Sequence, residues 1–327
     1  MREHGGNIDV ASARYGFATD EMLDLSTGIS PFSYPLPSIT SDALQALPTV
    51  AMLDACAKAA RHAYGVPEKL AVTVGAGTQA FLQIIPRLAK AGTVWIRQPT
   101  YNEHAHCWAE AGHHIVDGDV MPDEADHAVI VFPNNPTGDR YADLPDLASN
   151  IERKGGLLII DGAFLDNAEG ADLLDDLSAF SCVIHLRSFG KFFGLAGVRL
   201  GFAIASQIHC DSLVSMLGPW AVNNVALIAG TTAFQDQAWI ESHKGILERQ
   251  SDTLAKLLAG ANLDIIGGTF LFQTIRDADA LSLHEHLAKA GIWTRIYAEW
   301  PDLMRFGLPR DKGEMNRLDN SIKIWRR

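Results

Sequence analysis

In the stretch RSFGKFFGLAGVRLGF, Arg187 to Phe202, a single lysine, Lys191, stands among phenylalanines, glycines and small apolar residues. Such surroundings disfavour the ammonium form and make the amine a competent nucleophile toward an aldehyde. A surface lysine laid along the protein fits this neighbourhood badly. Arg199, further along the same stretch, offers a permanent cation to an ion pair or a phosphate. Asp161 closes the apolar run GLLIID. A buried carboxylate stays ionised only beside a cation or hydrogen-bond donors, although a lone aspartate at a strand end more often caps a helix. The run HAVIVF leads into PNNPTG, Pro133 to Gly138, a rigid turn that presents the Asn135 amide. AVTVGAGTQ puts Gly75 and Gly77 at a turn, with Thr78 and Gln79 opening a helix, where exposed amides and the helix dipole suit a phosphate. A dinucleotide fits less well, because GAGTQA lacks the third glycine and no acidic residue closes TVWIRQP.

These groups need a scaffold that gathers strand ends. From about residue 70, short apolar runs alternate with helix-like segments: LAVTVGAG and TQAFLQIIPRLAKAG, TVWIRQP and NEHAHCWAEAG, HAVIVFPNNP and ADLPDLASNIERKG. GLLIIDGAF, CVIHLRSF and VRLGFAIAS follow as further strands. This pattern predicts a mainly parallel sheet covered on both faces, with ligands at the carboxyl ends of its strands. After about residue 220 comes a long helical region, then LDIIGGTFLFQTI, the helix LSLHEHLAKAG and IWTRIYAEWPDLMRFGLP, a second α/β lobe of different make-up. STGISPFSYPLPS reads as an extended arm. The division expected is an arm over residues 1–40, a large domain over 41–235 and a small domain over 236–327.

Composition bounds the partners. The chain has 327 residues, 47% hydrophobic, and a formal charge of 27 − 39 = −12. An acidic balance without a Lys/Arg block argues against nucleic acid or an anionic membrane, so an anionic ligand must be held by a few local cations. The apolar runs fall short of the ~20 residues that span a bilayer, and MREHGGNIDV has no signal-peptide core; a soluble, cytoplasmic protein is expected. Cys56, Cys107, Cys182 and Cys210 are scattered and read as buried reduced thiols, with no metal site.

Taken together, GAGTQ, PTY at Pro99 to Tyr101, NNPTG, Asp161, SFGK and GVRLG resemble, in order and spacing, the pyridoxal-phosphate enzymes of the aspartate aminotransferase fold, fold type I. Within them, HGGNI, DLSTGISPFSYPLP, PTYNEHAHCWAEAGH, GPWAV and MRFGLP resemble the L-threonine-O-3-phosphate decarboxylases of cobalamin biosynthesis, along essentially the whole chain. The resemblance implies pyridoxal 5'-phosphate as cofactor, a small phosphorylated amino acid as substrate, and a homodimer. It also implies that Lys191 binds the cofactor covalently and moves protons at the substrate α-carbon. Asp161 would pair with the pyridine nitrogen, Asn135 with the phenolic oxygen, and Tyr101 would stack on the ring. Gly77, Thr78, Ser188 and Arg199, with Gln79 beside them, would cradle the phosphate. Arg305 would bind the substrate carboxylate and Arg295 its phosphate, each of which would otherwise read as a surface ion pair. Gly28, Ser30 and the N-terminal His4, Gly5, Gly6 and Asn7 are further substrate contacts, the last four as a segment folding over the substrate.

Three positions depart from the pattern of the relatives. Phe164 stands where a tyrosine hydroxyl is usual, Leu47 where a tyrosine reaches the neighbouring subunit, and Ser30 where an asparagine is expected. An aminotransferase acting on a phosphorylated substrate such as histidinol phosphate uses the same groups, and the reaction outcome rests on the resemblance. A non-catalytic cofactor-binding regulator is disfavoured by both substrate arginines and by the lack of a basic arm.

Overall fold

The computed structural model describes residues 5–166 and 169–326; His4 lies outside them. The strands are β1 (Leu23–Leu25), β2 (Ala71–Gly75), β3 (Thr93–Ile96), β4 (His114–Val116), β5 (His127–Val131), β6 (Leu158–Asp161), β7 (Val183–Ser188), β8 (Gly201–Ala205), β9 (Asp264–Thr269), β10 (Phe272–Arg276), β11 (Ile292–Ile296) and β12 (Leu303–Gly307). They form two sheets, one in each of two compact units.

The larger unit comprises Ser33–Asn135 and Asp139–Glu241. Its sheet has the order β2-β8-β7-β6-β5-β3-β4. β8 is antiparallel to both β2 and β7, and the other pairs are parallel. This is the mainly parallel α/β sheet that the alternating runs predict. Successive strand residues point to opposite faces. Val129, Ile159 and Ile184 belong to one apolar cluster, whereas Ala128, Ile130, Leu158 and Ile160 belong to another. Both faces are therefore buried, which is why these strands read as continuous apolar runs. The helix Leu144–Lys154 shows how a face is covered: Leu144, Leu147, Ala148 and Ile151 recur at helical spacing, are buried, and join the second cluster.

The smaller unit comprises the chain through Phe32, Pro136–Gly138 and the stretch from Ser242 onward. Its sheet has the order β1-β11-β12-β10-β9. The stretch LDIIGGTFLFQTI folds as the hairpin of β9 and β10. Residues 1–40, read from sequence as an arm, contain the helix Ile8–Tyr15 and β1, which pairs in parallel with β11. The long helical region is two helices, Asn224–Gln235 and Gln237–Gly260, parted at Asp236. The Asp236 side chain accepts from the Trp239 amide and so starts the second helix. Among the described residues, no helix is long and apolar enough to cross a membrane.

Candidate active site

Because β8 runs against its neighbours, its first residue lies at the edge where β2 and β7 end. Gly201 is in register with Gly75 on one side and Ser188 on the other. The chain packs tightly there: a Cβ on Gly201 would lie 2.5 Å from the Thr78 amide nitrogen, and one on Gly77 would lie 2.7 Å from an Arg199 guanidinium nitrogen. Gly77 has φ 79°, a conformation that glycine adopts freely, and Arg199 itself has φ 61°. The Arg199 guanidinium donates to the Ala196 carbonyl at 3.3 Å. An exposed guanidinium, the Thr78 hydroxyl and amide at a helix start, and Ser188 are thus gathered at one strand edge. That donor set is suited to a phosphate-sized anion.

Asp161 ends β6 and is 4% exposed. The His104 Nε2 donates to its Oδ2 at 2.8 Å, and the Ala163 amide donates to Oδ1 at 3.1 Å. Burial alone would raise this carboxyl. The His104 hydrogen bond and ring, the charge of Lys191 and the Ala163 amide outweigh it and hold Asp161 below the ordinary range. The carboxylate is therefore kept ionised inside the protein. Lys191, in the short helix Phe189–Phe192, sets its Nζ 4.7 Å from the centre of the buried Phe164 ring. Lys191 is half-buried between that ring and the charge of Asp161, so the setting expected from sequence as apolar includes a carboxylate.

Tyr101 follows β3, and its hydroxyl donates to Gln79 Oε1 at 3.4 Å. Gln79 donates in turn to the buried Glu103 at 3.2 Å. Burial first, then the charges of Glu103 and Asp161, push the Tyr101 phenol above its ordinary value, so it stays protonated. In the PNNP turn the two asparagines divide the work. The Asn134 side chain accepts from the Thr100 hydroxyl at 2.7 Å and donates to the Pro99 carbonyl at 2.8 Å, locking the turn, and Asn135 follows it half-buried.

The larger unit thus holds Gly77, Thr78, Gln79, Tyr101, Asn135, Asp161, Ser188, Lys191 and Arg199. Arg295 and Arg305 belong to the smaller unit, as do Gly5, Gly6, Asn7, Gly28 and Ser30. Arg305 is 6% exposed and directly opposite Arg295 across β11 and β12. Burial, with Arg295 adding to it, lowers the Arg305 guanidinium from its ordinary value, and Tyr297 and Asp24 act the other way. Like charges facing each other across strands are destabilising, and two guanidinium groups so placed suit anionic groups. Arg305 also donates to the Ser26 carbonyl at 2.7 Å. Gly28 is buried in the loop after β1. The Ser30 hydroxyl bonds the Phe32 backbone and approaches His243 Nε2 at 3.1 Å. Asn7 precedes the helix Ile8–Tyr15. The amide of Gly6, read from sequence as a substrate contact, donates to the Ser26 hydroxyl. Leu47 is 61% exposed.

Two groups escaped the sequence reading, His104 and Glu103. Both lie on the first turn after Tyr101, in the helix Glu103–Glu110 that packs beside β3, and only that packing brings His104 to Asp161. Among the described residues no cluster of His, Cys, Asp and Glu could hold a metal ion.

The family model for aminotransferase class I and II matches residues 41–318. A threonine-phosphate decarboxylase of Pseudomonas aeruginosa is 39% identical over 98% of this chain and 97% of the relative. One from a Sinorhizobium species is also 39% identical, with the same coverage of 98% and 97%. A solved structure of histidinol-phosphate aminotransferase from Sinorhizobium meliloti, in complex with pyridoxal-5'-phosphate, superposes with a TM-score of 0.83 at 18% identity, covering 99% of this chain and 96% of that one. The strand-edge lysine, aspartate and anion cradle thus sit in a chain matched over most of its length, and the chain belongs to the aminotransferase class I and II family.

Proposed function

We propose that this chain is a pyridoxal-phosphate-dependent lyase that removes carbon dioxide from L-threonine O-3-phosphate, giving (R)-1-amino-2-propanol O-2-phosphate for cobalamin biosynthesis. The observation that carries the substrate class is the facing pair Arg295 and Arg305, two fixed cations that match a ligand bearing both a carboxylate and a phosphate. The near-full-length likeness to threonine-phosphate decarboxylases supports the reaction.

The residues present fit the cofactor. The cradle of Gly77, Thr78, Ser188 and Arg199 leaves no room for a side chain at Gly77 or Gly201 and suits its phosphate. Asp161, held ionised by His104, suits a protonated pyridine nitrogen. Bound pyridoxal phosphate supplies an electron-withdrawing ring that accepts the electron pair released at the substrate α-carbon. Lys191 would hold the cofactor aldehyde through its amine and, set free when the substrate amine takes its place, would return a proton to the α-carbon after the carboxylate has left. Asp161, fixed by His104, would keep the ring nitrogen protonated. Asn135 would hold the phenolic oxygen, and Tyr101, whose phenol is tied to Gln79, would pack on the ring. Arg305 takes the substrate carboxylate and Arg295 the phosphate. Gly28 and Ser30 shape the loop after β1, and the segment from His4 to Asn7 shields the substrate.

A second copy of the chain would cover Leu44, Leu47, Val50 and Trp220, large apolar side chains at 68%, 61%, 74% and 59% exposure. Asn224 ties their segments together by donating to the Ala43 and Ala46 carbonyls. A cytoplasmic homodimer is the assembly this reading expects.

The test is purified protein incubated with cofactor and phosphothreonine, following carbon dioxide and amino transfer together. Release of carbon dioxide without net amino transfer is expected. Transfer of the amino group with the carboxylate retained would make the chain an aminotransferase instead.

A further inference from the structure

Ser26 is 1% exposed, yet all its polar groups are engaged, with Asp24, Gly6 and Arg305. Its amide and hydroxyl both donate to Asp24 Oδ1, at 2.8 and 2.6 Å. The hydroxyl oxygen accepts from the Gly6 amide at 2.8 Å. The carbonyl accepts from an Arg305 Nη at 2.7 Å. One donor and one acceptor role on the hydroxyl is within what a serine offers. The glycines facing it are required by space and by backbone. A Cβ on Gly5 would overlap the Ser26 carbonyl oxygen, and Gly6 has φ 86°. The two glycines are therefore shaped to sit on Ser26.

We propose that Ser26 is a positioning residue for substrate binding, seating the Gly5–Gly6 segment on the residue whose carbonyl orients Arg305. The inference rests on the reading of Arg305 as the carboxylate-binding arginine. Asp24 holds the serine in place through two hydrogen bonds, so amide, hydroxyl and carbonyl cannot turn independently. The N-terminal segment then has a fixed place relative to the substrate's carboxylate, and the glycine pair serves for docking, with the Gly6 N–H spent on Ser26.

The experiment uses the full-length holoenzyme and three variants, Ser26→Ala, Gly5→Ala and the double variant. Ser26→Ala removes the hydroxyl but keeps the carbonyl that Arg305 uses. Gly5→Ala blocks the same seat from the other side, and agreement between them guards against a variant that merely folds poorly. Hydrogen exchange of the peptide containing Gly5 and Gly6 should quicken about tenfold in each single variant, the loss of one hydrogen bond. KM for phosphothreonine should rise about tenfold, with the smaller change falling on kcat. The double variant should be no worse than either single one, because both remove one contact. Unchanged exchange in Ser26→Ala overturns the inference, and so does an effect of the double variant that multiplies the single ones. A wild-type protein that leaves phosphothreonine untouched would sink the functional reading instead, and the exchange measurement would still judge the seating.

Discussion

His104 and Asp161 form a buried pair, with Nε2 donating to Oδ2 at 2.8 Å and side chains 2% and 5% exposed. The aspartate comes from the end of a central strand and the histidine from the helix after β3. Removing the ring leaves a buried carboxylate with less to oppose its desolvation, so the Asp161 pKa should rise in His104→Ala. Each unit of rise makes the ionised form about tenfold harder to keep. A visible-absorbance pH titration of the cofactor-loaded variant should move relative to wild type, with activity falling at least tenfold. An unmoved titration would mean that Asp161 is held by Lys191 and Ala163 alone.

Phe164 lies under the lysine amine, at 4.7 Å from Nζ to the ring centre, and is 2% exposed. Phe164→Tyr should add a hydrogen-bond donor near the amine at little cost in packing and shift the pH at which the lysine-bound cofactor changes colour. Phe164→Ala should cost about 3–5 kcal/mol of stability through the cavity left. Thermal melting separates the two variants, and the colour titration reads the first.

Arg295 and Arg305 repel each other without a ligand. Arg295→Gln should therefore stabilise the ligand-free protein slightly, by about 0.2–1 kcal/mol, while weakening phosphothreonine much more than threonine. Arg305→Lys, at a buried site holding the Ser26 carbonyl, should weaken both amino acids. Melting temperatures and KM values for the two substrates check these signs together.

Two buried histidines make acid stability predictable. Burial, then Arg187, pulls His185 down to about 3, and burial with Arg14 and Arg295 pulls His284 to about 4. Both start from an ordinary value of 6.5, so below that pH the unfolded chain binds protons that the folded chain refuses. Their contribution is whole above pH 6.5 and is lost as the pH falls toward 4 for His284 and toward 3 for His185. His284→Gln should flatten the melting-temperature curve between pH 6.5 and 4; a slope equal to wild type would show that its neutral form is not what the fold needs.

The strand-edge groups were legible because parallel strands buried on both faces are written as unbroken apolar runs, and turn-forming Gly, Pro and Asn mark where they stop. Lys191, Asp161 and Asn135 all follow such runs. His104 was not legible, since its value depends on the strand order β3-β5-β6 that brings its helix near Asp161. The opposition of Arg295 and Arg305 was hidden likewise, because a strand pair's register is set by the loop between them, here residues 297–302. β1, three residues long with a partner far along the chain, left only Leu23 and Leu25 as its signal.

The pairing of β1 with β11 also bears on how the chain is made. The strands of the larger sheet are all present once synthesis has passed Glu241, but Leu23–Leu25 finds its partner only when Ile292–Ile296 emerges. At ribosomal speeds of about 5–20 residues per second, the wait from Leu25 to Ile292 is on the order of tens of seconds. Through that interval the first strand is an open edge carrying two leucines, exposed to chaperones and to other nascent chains. β1 is thus made before every other strand of the two sheets and completed among the last, and a truncation that removes β11 would strand it.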